Sequence, residues 1–132
     1  MTKKPDGLAR NKLSNNLIIA PDGSEIRLLH ELTGGGLSEC TLPAKGVSLP
    51  IAHRTVEEIW LFTSGCGQVW RKLGQVDEVL DVKKGVSLTI PLGTYFQFRN
   101  TGSTPLKFII STMPPWPGKE EAYTVPGKWP PS

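Results

Sequence analysis

Glycine and proline interrupt this chain so often that few segments are long enough for a regular helix. The 132 residues include 14 glycines and 12 prolines, and short apolar runs lie between them. Glycine permits the backbone conformations that tight turns need, and proline lacks the N–H donor that helices and strand ladders require. This distribution is typical of many short strands joined by turns. The sequence therefore predicts an all-β sandwich or barrel.

The strongest strand signal covers Glu58–Thr63. The consecutive apolar residues from Ile59 to Phe62 are the pattern of a strand that is buried on both faces. Residues Tyr95–Arg99 alternate instead between aromatic and polar side chains, as a strand buried on one face does. A further β-branched and aromatic run, Leu106–Thr112, predicts the last strand of the barrel.

Composition divides the chain into three parts. Residues 1–16 are polar, and we expect them to form a flexible lead-in, whereas residues 17–113 carry the apolar runs of the barrel. Residues 114–132 contain two proline clusters, each with a tryptophan, and proline cannot continue a strand ladder. Because exposed tryptophans are unfavourable in water, we expect this tail to dock on the barrel or on a neighbouring subunit.

Charge and cysteine content argue against several classes of protein. The formal net charge is +3, but no basic stripe follows the barrel, so we expect no nucleic-acid partner. No apolar run is long enough to cross a membrane, so we expect no membrane partner, and Leu17–Ala20 is too short for the core of a signal peptide. Two cysteines do not form a disulfide framework. We therefore expect Cys40 and Cys66 to be reduced thiols in a cytoplasmic protein.

Glycine and proline positions after residue 84 resemble the second sequence signature of the cupin superfamily. That signature reads Gly-x5-Pro-x-Gly-x2-His-x3-Asn, and its spacing is matched here without adjustment. The matching residues are Gly85, Pro91, Gly93, Phe96 and Asn100. Phe96 is the departure, because it stands where the family has a histidine.

The first cupin signature is present in a more altered form. It reads Gly-x5-His-x-His-x3-4-Glu-x6-Gly, and Glu58 and Gly65 have its spacing. His53 falls in the place of the second histidine, and Ile51 falls in the place of the first. Gly46 lies one residue closer to Ile51 than the pattern expects.

This resemblance implies a double-stranded β-helix, or jelly roll, with a divalent metal on three histidines and one glutamate. Only His53 and Glu58 remain of that set, because isoleucine and phenylalanine offer no lone pair to a metal. The site is therefore expected to be degenerate, and the absence of a cofactor is slightly favoured over a bound Zn, Fe, Mn or Ni ion. Further ligands would have to be recruited from His30, Cys40, Glu57 or Gln97. Neighbouring residues of a strand point to opposite faces, so only one of Glu57 and Glu58 should face the cavity, and the sequence leaves open which.

The remaining pair also suggests chemistry without a metal. An inward histidine beside an inward glutamate is a candidate general acid–base pair, in which the carboxylate would orient the imidazole and raise its basicity. An apolar wall would act in the opposite direction, and a relic of the metal site is the competing interpretation. Residues of matching parity are expected to line an internal pocket: Ile51, Trp60, Phe62, Trp70, Phe96, Phe98 and Asn100.

Three functions fit this pattern. The first is a small-molecule enzyme of the isomerase, epimerase or lyase type that uses His53 and Glu58. The second is a metal-free binding or sensor module, and the third is a role in assembly. The resemblance implies a homodimer under all three, since small cupins usually pair.

Overall fold

A computed structural model describes residues 6–10 and 17–132, so most of the expected lead-in lies outside the described residues. The described part of the chain consists of strands and a 3₁₀ turn at Lys119–Glu121, and it contains no helix that is long and apolar enough to span a bilayer. The strands are β1 (Leu17–Ile19), β2 (Glu25–Glu31), β3 (Gly36–Leu42), β4 (Ile51–His53), β5 (Glu57–Ser64), β6 (Cys66–Leu73), β7 (Val76–Lys83), β8 (Ser87–Ile90), β9 (Tyr95–Asn100), β10 (Leu106–Met113) and β11 (Ala122–Thr124).

The strands form two antiparallel sheets that enclose one core. The first sheet has six strands in the order β1-β2-β3-β10-β5-β8, and the second has five in the order β11-β4-β9-β6-β7. Strands that are consecutive in the chain often lie in different sheets, so the chain crosses repeatedly from one layer to the other. This arrangement is a jelly roll and confirms the all-β prediction.

Aromatic side chains fill the space between the sheets. In β10, Phe108 is fully buried, and its ring centroid lies 4.5 Å from that of Trp60 in β5. From the opposite sheet, Phe96 and Phe98 of β9 approach Trp60 edge-on at 5.3 Å and 5.6 Å. Such tilted and edge-to-face contacts are the preferred geometry of aromatic pairs. Trp60 therefore joins the two sheets at the centre of the core.

Strand β5 is buried on one face, and the prediction that both its faces are buried was wrong. Trp60 is 1% exposed, whereas its neighbours Ile59 and Leu61 are 47% and 46% exposed. Side chains alternate between the faces of a strand, and an antiparallel sheet commonly has one face in solvent. The apolar run therefore describes a buried face and an exposed apolar face together.

The tail lies against the second sheet. The carboxylate of Glu121 accepts hydrogen bonds from the backbone N–H groups of Thr55 and Val56 and from the Thr55 hydroxyl. Near the C-terminus the guanidinium carbon of Arg99 lies 4.2 Å from the ring centroid of Trp129, a cation–π contact. Both ends of the tail are thus held by side-chain contacts with the barrel.

Gln97 holds the tail from the outer face of the second sheet. Its side-chain amide is buried and donates to the carbonyls of Ser48, at 2.8 Å, and Trp129, at 2.7 Å. Its oxygen accepts from the backbone N–H groups of Lys128 and Trp129, both at 2.9 Å. A side chain with all these partners on the outer face is not available as a recruited metal ligand inside the barrel.

The variant Gln97→Leu is expected to release the tail. Leucine keeps most of the volume but removes every one of these hydrogen bonds, and a lost buried bond that leaves its partner unsatisfied costs about 1–3 kcal/mol. Hydrogen–deuterium exchange should show faster exchange at the amides of Lys128 and Trp129. Gln75→Leu, at an exposed position, is the control and should leave these amides protected. Unchanged protection in Gln97→Leu would contradict this account of the tail.

Candidate functional site

A cavity of about 90 Å³ opens between the two sheets, which is room for several water molecules or a small organic molecule. Its wall combines many apolar side chains with a few polar ones, as small-molecule sites do. The lining residues are Ile18, Ala20, Pro21, Asp22, Ile26, Leu28, Ser38, Cys40, Ile51, His53, Glu58, Trp60, Phe96, Phe98, Phe108, Ile110, Thr112 and Trp116.

Glu58 is an acidic group of this wall. It is 6% exposed, and its two oxygens accept hydrogen bonds from the indole N–H of Trp60 at 3.0 Å and from the hydroxyl of Thr112 at 2.8 Å. Burial raises the pKa of Glu58 from 4.5 to about 7, although both hydrogen bonds act in the opposite direction. The charges of Asp22 and Glu121 add to the increase. Near neutral pH this carboxyl group therefore exchanges readily between its protonated and ionised forms.

His53 is the basic group of the wall. Its ring lies edge-on to Phe96, at 5.1 Å between centroids, and to Trp116 of the tail, at 5.4 Å. Burial lowers the pKa of His53 from 6.5 to about 4, and the charge of Glu121 only partly offsets this. The imidazole is therefore neutral at physiological pH. Its Nδ1 is buried and has no hydrogen-bond partner among the described residues.

The carboxylate of Glu58 does not orient the imidazole of His53 as expected, because its partners are Trp60 and Thr112. No hydrogen bond joins the two side chains within the described part of the chain, and the carboxylate that acts on the imidazole is that of Glu121. The apolar wall outweighs the carboxylate, so the basicity of His53 falls instead of rising. The two groups face one cavity as separate, uncharged hydrogen-bonding groups near pH 6.

Asp22 and Cys40 complete the titratable groups of the wall. Asp22 lies in the turn between β1 and β2, and its Oδ1 accepts from the backbone N–H and the hydroxyl of Ser24. Burial raises the pKa of Asp22. Burial and the nearby Asp22 also raise the pKa of the Cys40 thiol well above its usual range. Cys40 is therefore a neutral thiol and a poor metal ligand or nucleophile.

Four of the seven expected wall residues, Ile51, Trp60, Phe96 and Phe98, lie on the cavity wall. The other three lie elsewhere. Phe62 has the expected inward direction, but it is buried deeper in the core, 4.6 Å from Phe108 between ring centroids, and does not reach the cavity.

Trp70 and Asn100 are structural residues. Trp70 pairs with Gln97 across the strands and so lies on the outer face of the second sheet, where its indole donates to Asp77. Asn100 points inward at the far end of β9, where its amide donates to the carbonyls of Leu42 and Thr104. Strand alternation correctly predicted that the side chain of Asn100 points into the barrel. Alternation does not indicate how far along the barrel the cavity extends.

The residues do not fit the metal site that the two signatures together imply. The positions of two ligands are filled by the side chains of Ile51 and Phe96, and the described residues contain no cluster of three or more His, Cys, Asp or Glu side chains that could hold an ion. Two of the other residues considered as additional ligands lie outside this cavity. Glu57 is exposed on the outer face of β5, and the Nδ1 atom of His30 lies 3.5 Å from Oδ2 of Asp6. Of the two adjacent glutamates, Glu58 faces the cavity.

Sequence reasoning missed five polar or aromatic wall residues: Asp22, Ser38, Phe108, Thr112 and Trp116. Thr112 shares parity with Ile110 in β10, so the same alternation rule could have placed it inside. Trp116 was expected only to dock, and its contact with His53 depends on the path of the tail. Asp22 carried only a turn signal, because the Pro-Asp-Gly sequence gives no indication that the turn folds over the cavity.

Comparison with known proteins places the chain in a family. No family model matches it. A curated relative, "Uncharacterized protein MJ1618" of Methanocaldococcus jannaschii, is 35% identical over 103 residues, which are 74% of this chain and 79% of the relative. A Klebsiella pneumoniae protein with a double-stranded β-helix domain superposes with a TM-score of 0.65 at 15% identity, over 92% of this chain and 100% of that one. The chain belongs to the same family as the Methanocaldococcus protein, and it has the double-stranded β-helix fold.

Two further structures share the cupin fold. Capsular polysaccharide assembling protein CapF from Staphylococcus aureus superposes with a TM-score of 0.68 at 19% identity, over 85% of this chain but only 35% of CapF. A predicted oxalate decarboxylase from Thermotoga maritima superposes with a TM-score of 0.58 at 20% identity, over 68% of this chain and 79% of that one. This chain therefore spans about a third of CapF, and these likenesses at low identity show the fold alone.

Proposed function

We propose that this protein is a cupin enzyme that moves a proton to and from a small molecule in the cavity, with Glu58 as the general acid–base. The observation that carries the proposal is the buried carboxyl group of Glu58, which faces a mainly apolar cavity and has a pKa of about 7. A group with a pKa close to the working pH is the most effective proton carrier. Buried groups with such shifts cluster at functional sites.

His53 supplies the second polar group of the proposed site. A neutral imidazole in the tautomer with the proton on Nδ1 can donate a hydrogen bond to a substrate oxygen, and this nitrogen has no other partner among the described residues. When ionised Glu58 takes a proton from a carbon next to a carbonyl group, the electron pair moves to the carbonyl oxygen, which His53 would stabilise. Return of the proton to the same or a neighbouring carbon gives an epimerase or isomerase reaction.

The test is deuterium exchange. In D₂O, wild-type protein incubated with a panel of small ketones, hydroxyketones, aminoketones and aldehydes is expected to catalyse loss of the α-proton signal in at least one compound. Glu58→Gln should slow that exchange by roughly 10²–10⁴-fold, the usual contribution of a general acid–base. Glu57→Gln, one residue away on the exposed face, is the matched control and should keep the wild-type rate. Equal exchange rates in Glu58→Gln and wild type would contradict the assignment.

A metal-free binding module is the second candidate. The mainly apolar wall and the lack of a hydrogen bond between His53 and Glu58 within the described residues favour it. In that case a ligand of the cavity should raise the melting temperature of wild type and Glu58→Gln by similar amounts, and no member of the panel should exchange.

Oxalate, the substrate of the predicted decarboxylase from Thermotoga maritima, is not proposed for this chain. Oxalate is a dianion, whereas the described wall carries the carboxyl groups of Asp22 and Glu58 and no lysine or arginine. Like charges at such a site would disfavour binding.

A further inference from the structure

The ionisable side chains that line the cavity are Asp22, Cys40, His53 and Glu58. The two that can carry charge at neutral or mildly basic pH are both carboxylic acids, because the thiol and the imidazole are neutral there. No lysine or arginine is present in the described part of the lining. An anionic ligand would therefore have no cationic partner in this wall.

Asp22 lines the cavity in a fixed orientation. Its Oδ1 accepts hydrogen bonds from the backbone N–H and the hydroxyl of Ser24, and its side chain belongs to the cavity wall. Asp22 also lies close enough to Glu58 for its charge to raise the pKa of the Glu58 carboxyl. A cation in the cavity that both groups line would relieve their mutual repulsion.

The rest of the wall is suited to the same kind of ligand. Aromatic rings attract cations through their negative faces, and five aromatic side chains line the cavity: Trp60, Phe96, Phe98, Phe108 and Trp116. The unpaired Nδ1 of His53, in a side chain that is 5% exposed, is an independent indication that this space takes a polar group. A buried polar atom without a partner is unfavourable unless a ligand or water completes it.

We propose that the cavity selects a small organic ammonium ion with an apolar body, and disfavours a carboxylate of the same shape. The ammonium group donates to Asp22 and Glu58, while the apolar body packs on the aromatic wall. The inference deepens the proposed function, since it names the substrate class of that same site.

Three probes of one shape test the selectivity: isobutylamine, isobutanol and isobutyrate. Binding is followed at pH 8 through the NMR signal of the Trp60 indole N–H, while the Trp70 indole, outside the cavity, serves as an internal control. We expect isobutylamine to bind roughly tenfold or more tightly than isobutanol, the scale of a hydrogen bond to a charged group, and isobutyrate to bind least. Equal or tighter binding of isobutyrate, or no shift of Trp60 with isobutylamine, would overturn the inference.

Two variants connect the selectivity with the carboxylates. Asp22→Asn keeps an oxygen that can accept from Ser24 but loses the negative charge. It should weaken the binding of isobutylamine roughly tenfold and leave the affinity for isobutanol nearly unchanged. Glu58→Gln should do the same, whereas Glu57→Gln should change neither affinity. If Asp22→Asn weakened the binding of isobutylamine and isobutanol equally, the residue would only shape the cavity. That result would count against the inference.

The two proposals fail in different ways. Amine-selective binding without α-proton exchange of any compound would reject the enzyme and keep the ammonium site. If α-proton exchange depended on Glu58 but the protein bound isobutyrate more tightly than isobutylamine, the enzyme proposal would stand. The ammonium site would then be rejected.

Discussion

Between pH 4.5 and 6.5, the free energy of unfolding of Glu58→Gln is expected to rise with pH by about 2 kcal/mol relative to wild type, and that of His53→Gln is expected to fall by a similar amount. The two substitutions replace neighbouring groups of one cavity by the same uncharged residue. Opposite pH slopes from one type of substitution would be direct evidence for the unusual protonation states of both groups.

The sign for Glu58 follows from its raised pKa. In the unfolded chain the carboxyl loses its proton near pH 4.5, whereas in the folded protein it holds the proton until about pH 7. The folded state therefore binds more protons in this window, and the stability contributed below pH 4.5 is lost as the pH rises through 7. Glu58→Gln lacks this titrating group, so its free energy of unfolding does not fall in this way and rises with pH relative to wild type.

The sign for His53 is the reverse. Its pKa falls from 6.5 in the unfolded chain to about 4 in the folded protein. The unfolded state binds more protons in the same window, so the stability present above pH 6.5 is lost as the pH falls through 4. In wild type the two contributions nearly cancel between pH 4.5 and 6.5, and each single variant exposes the slope of the remaining group.

Urea titrations at several pH values across this window provide the measurement. The double variant His53→Gln/Glu58→Gln is the control: it should run parallel to wild type, because neither charge is among the causes of the other group's pKa shift. Three parallel profiles for wild type and both single variants would show that neither pKa changes on folding. The acid–base role of Glu58 would then lose its main support.

The substitution Gly67→Ala is expected to cost about 3 kcal/mol or more, or to prevent folding. Gly67 is buried in β6, between Val82 of β7 and Asn100 of β9. An added Cβ would overlap the backbone carbonyl oxygen of Arg99 and lie 3.0 Å from the side chain of Leu106. A backbone atom in the middle of a sheet cannot move aside without breaking the strand ladder.

Gly34→Ala is the matched control for this prediction. Gly34 lies in the turn before β3, with no atom within 4 Å of an added Cβ and without a positive φ. Thermal and urea unfolding should show a change within about 0.5 kcal/mol for Gly34→Ala, as for most surface substitutions. Similar stabilities of the two variants would contradict the close approach of β6 and β9 at Gly67.

The fold could be predicted because its signals are local. Gly85 and Gly93 have positive φ values of 94° and 86°, which is why the turn positions of the signature carry glycine. Alternation then assigned the inward side chains of β9 and β5, although the unbroken apolar run in β5 hid the exposed positions of Ile59 and Leu61. The predicted homodimer remains a prediction, and these two exposed residues are the place to test it by substitution.

The candidate site could be predicted only in part. His53 and the aromatic residues Trp60, Phe96 and Phe98 follow from strand alternation, whereas alternation left open whether Glu57 or Glu58 faces the cavity. Asp22 and Trp116 come from a turn and from the tail, where no periodicity indicates direction. Their presence in the cavity depends on how distant segments pack together.

The sequence by itself determined the double-stranded β-helix fold and the loss of two metal-ligand positions, because turn chemistry and strand alternation act between near neighbours. Only the tertiary structure decided that Glu58 rather than Glu57 faces the cavity, that its carboxyl group is the easily protonated one, and that the imidazole of His53 stays neutral. Those properties depend on burial and on charges from Asp22 and Glu121, which lie far away in the chain. The field at a side chain is set by everything that surrounds it in space.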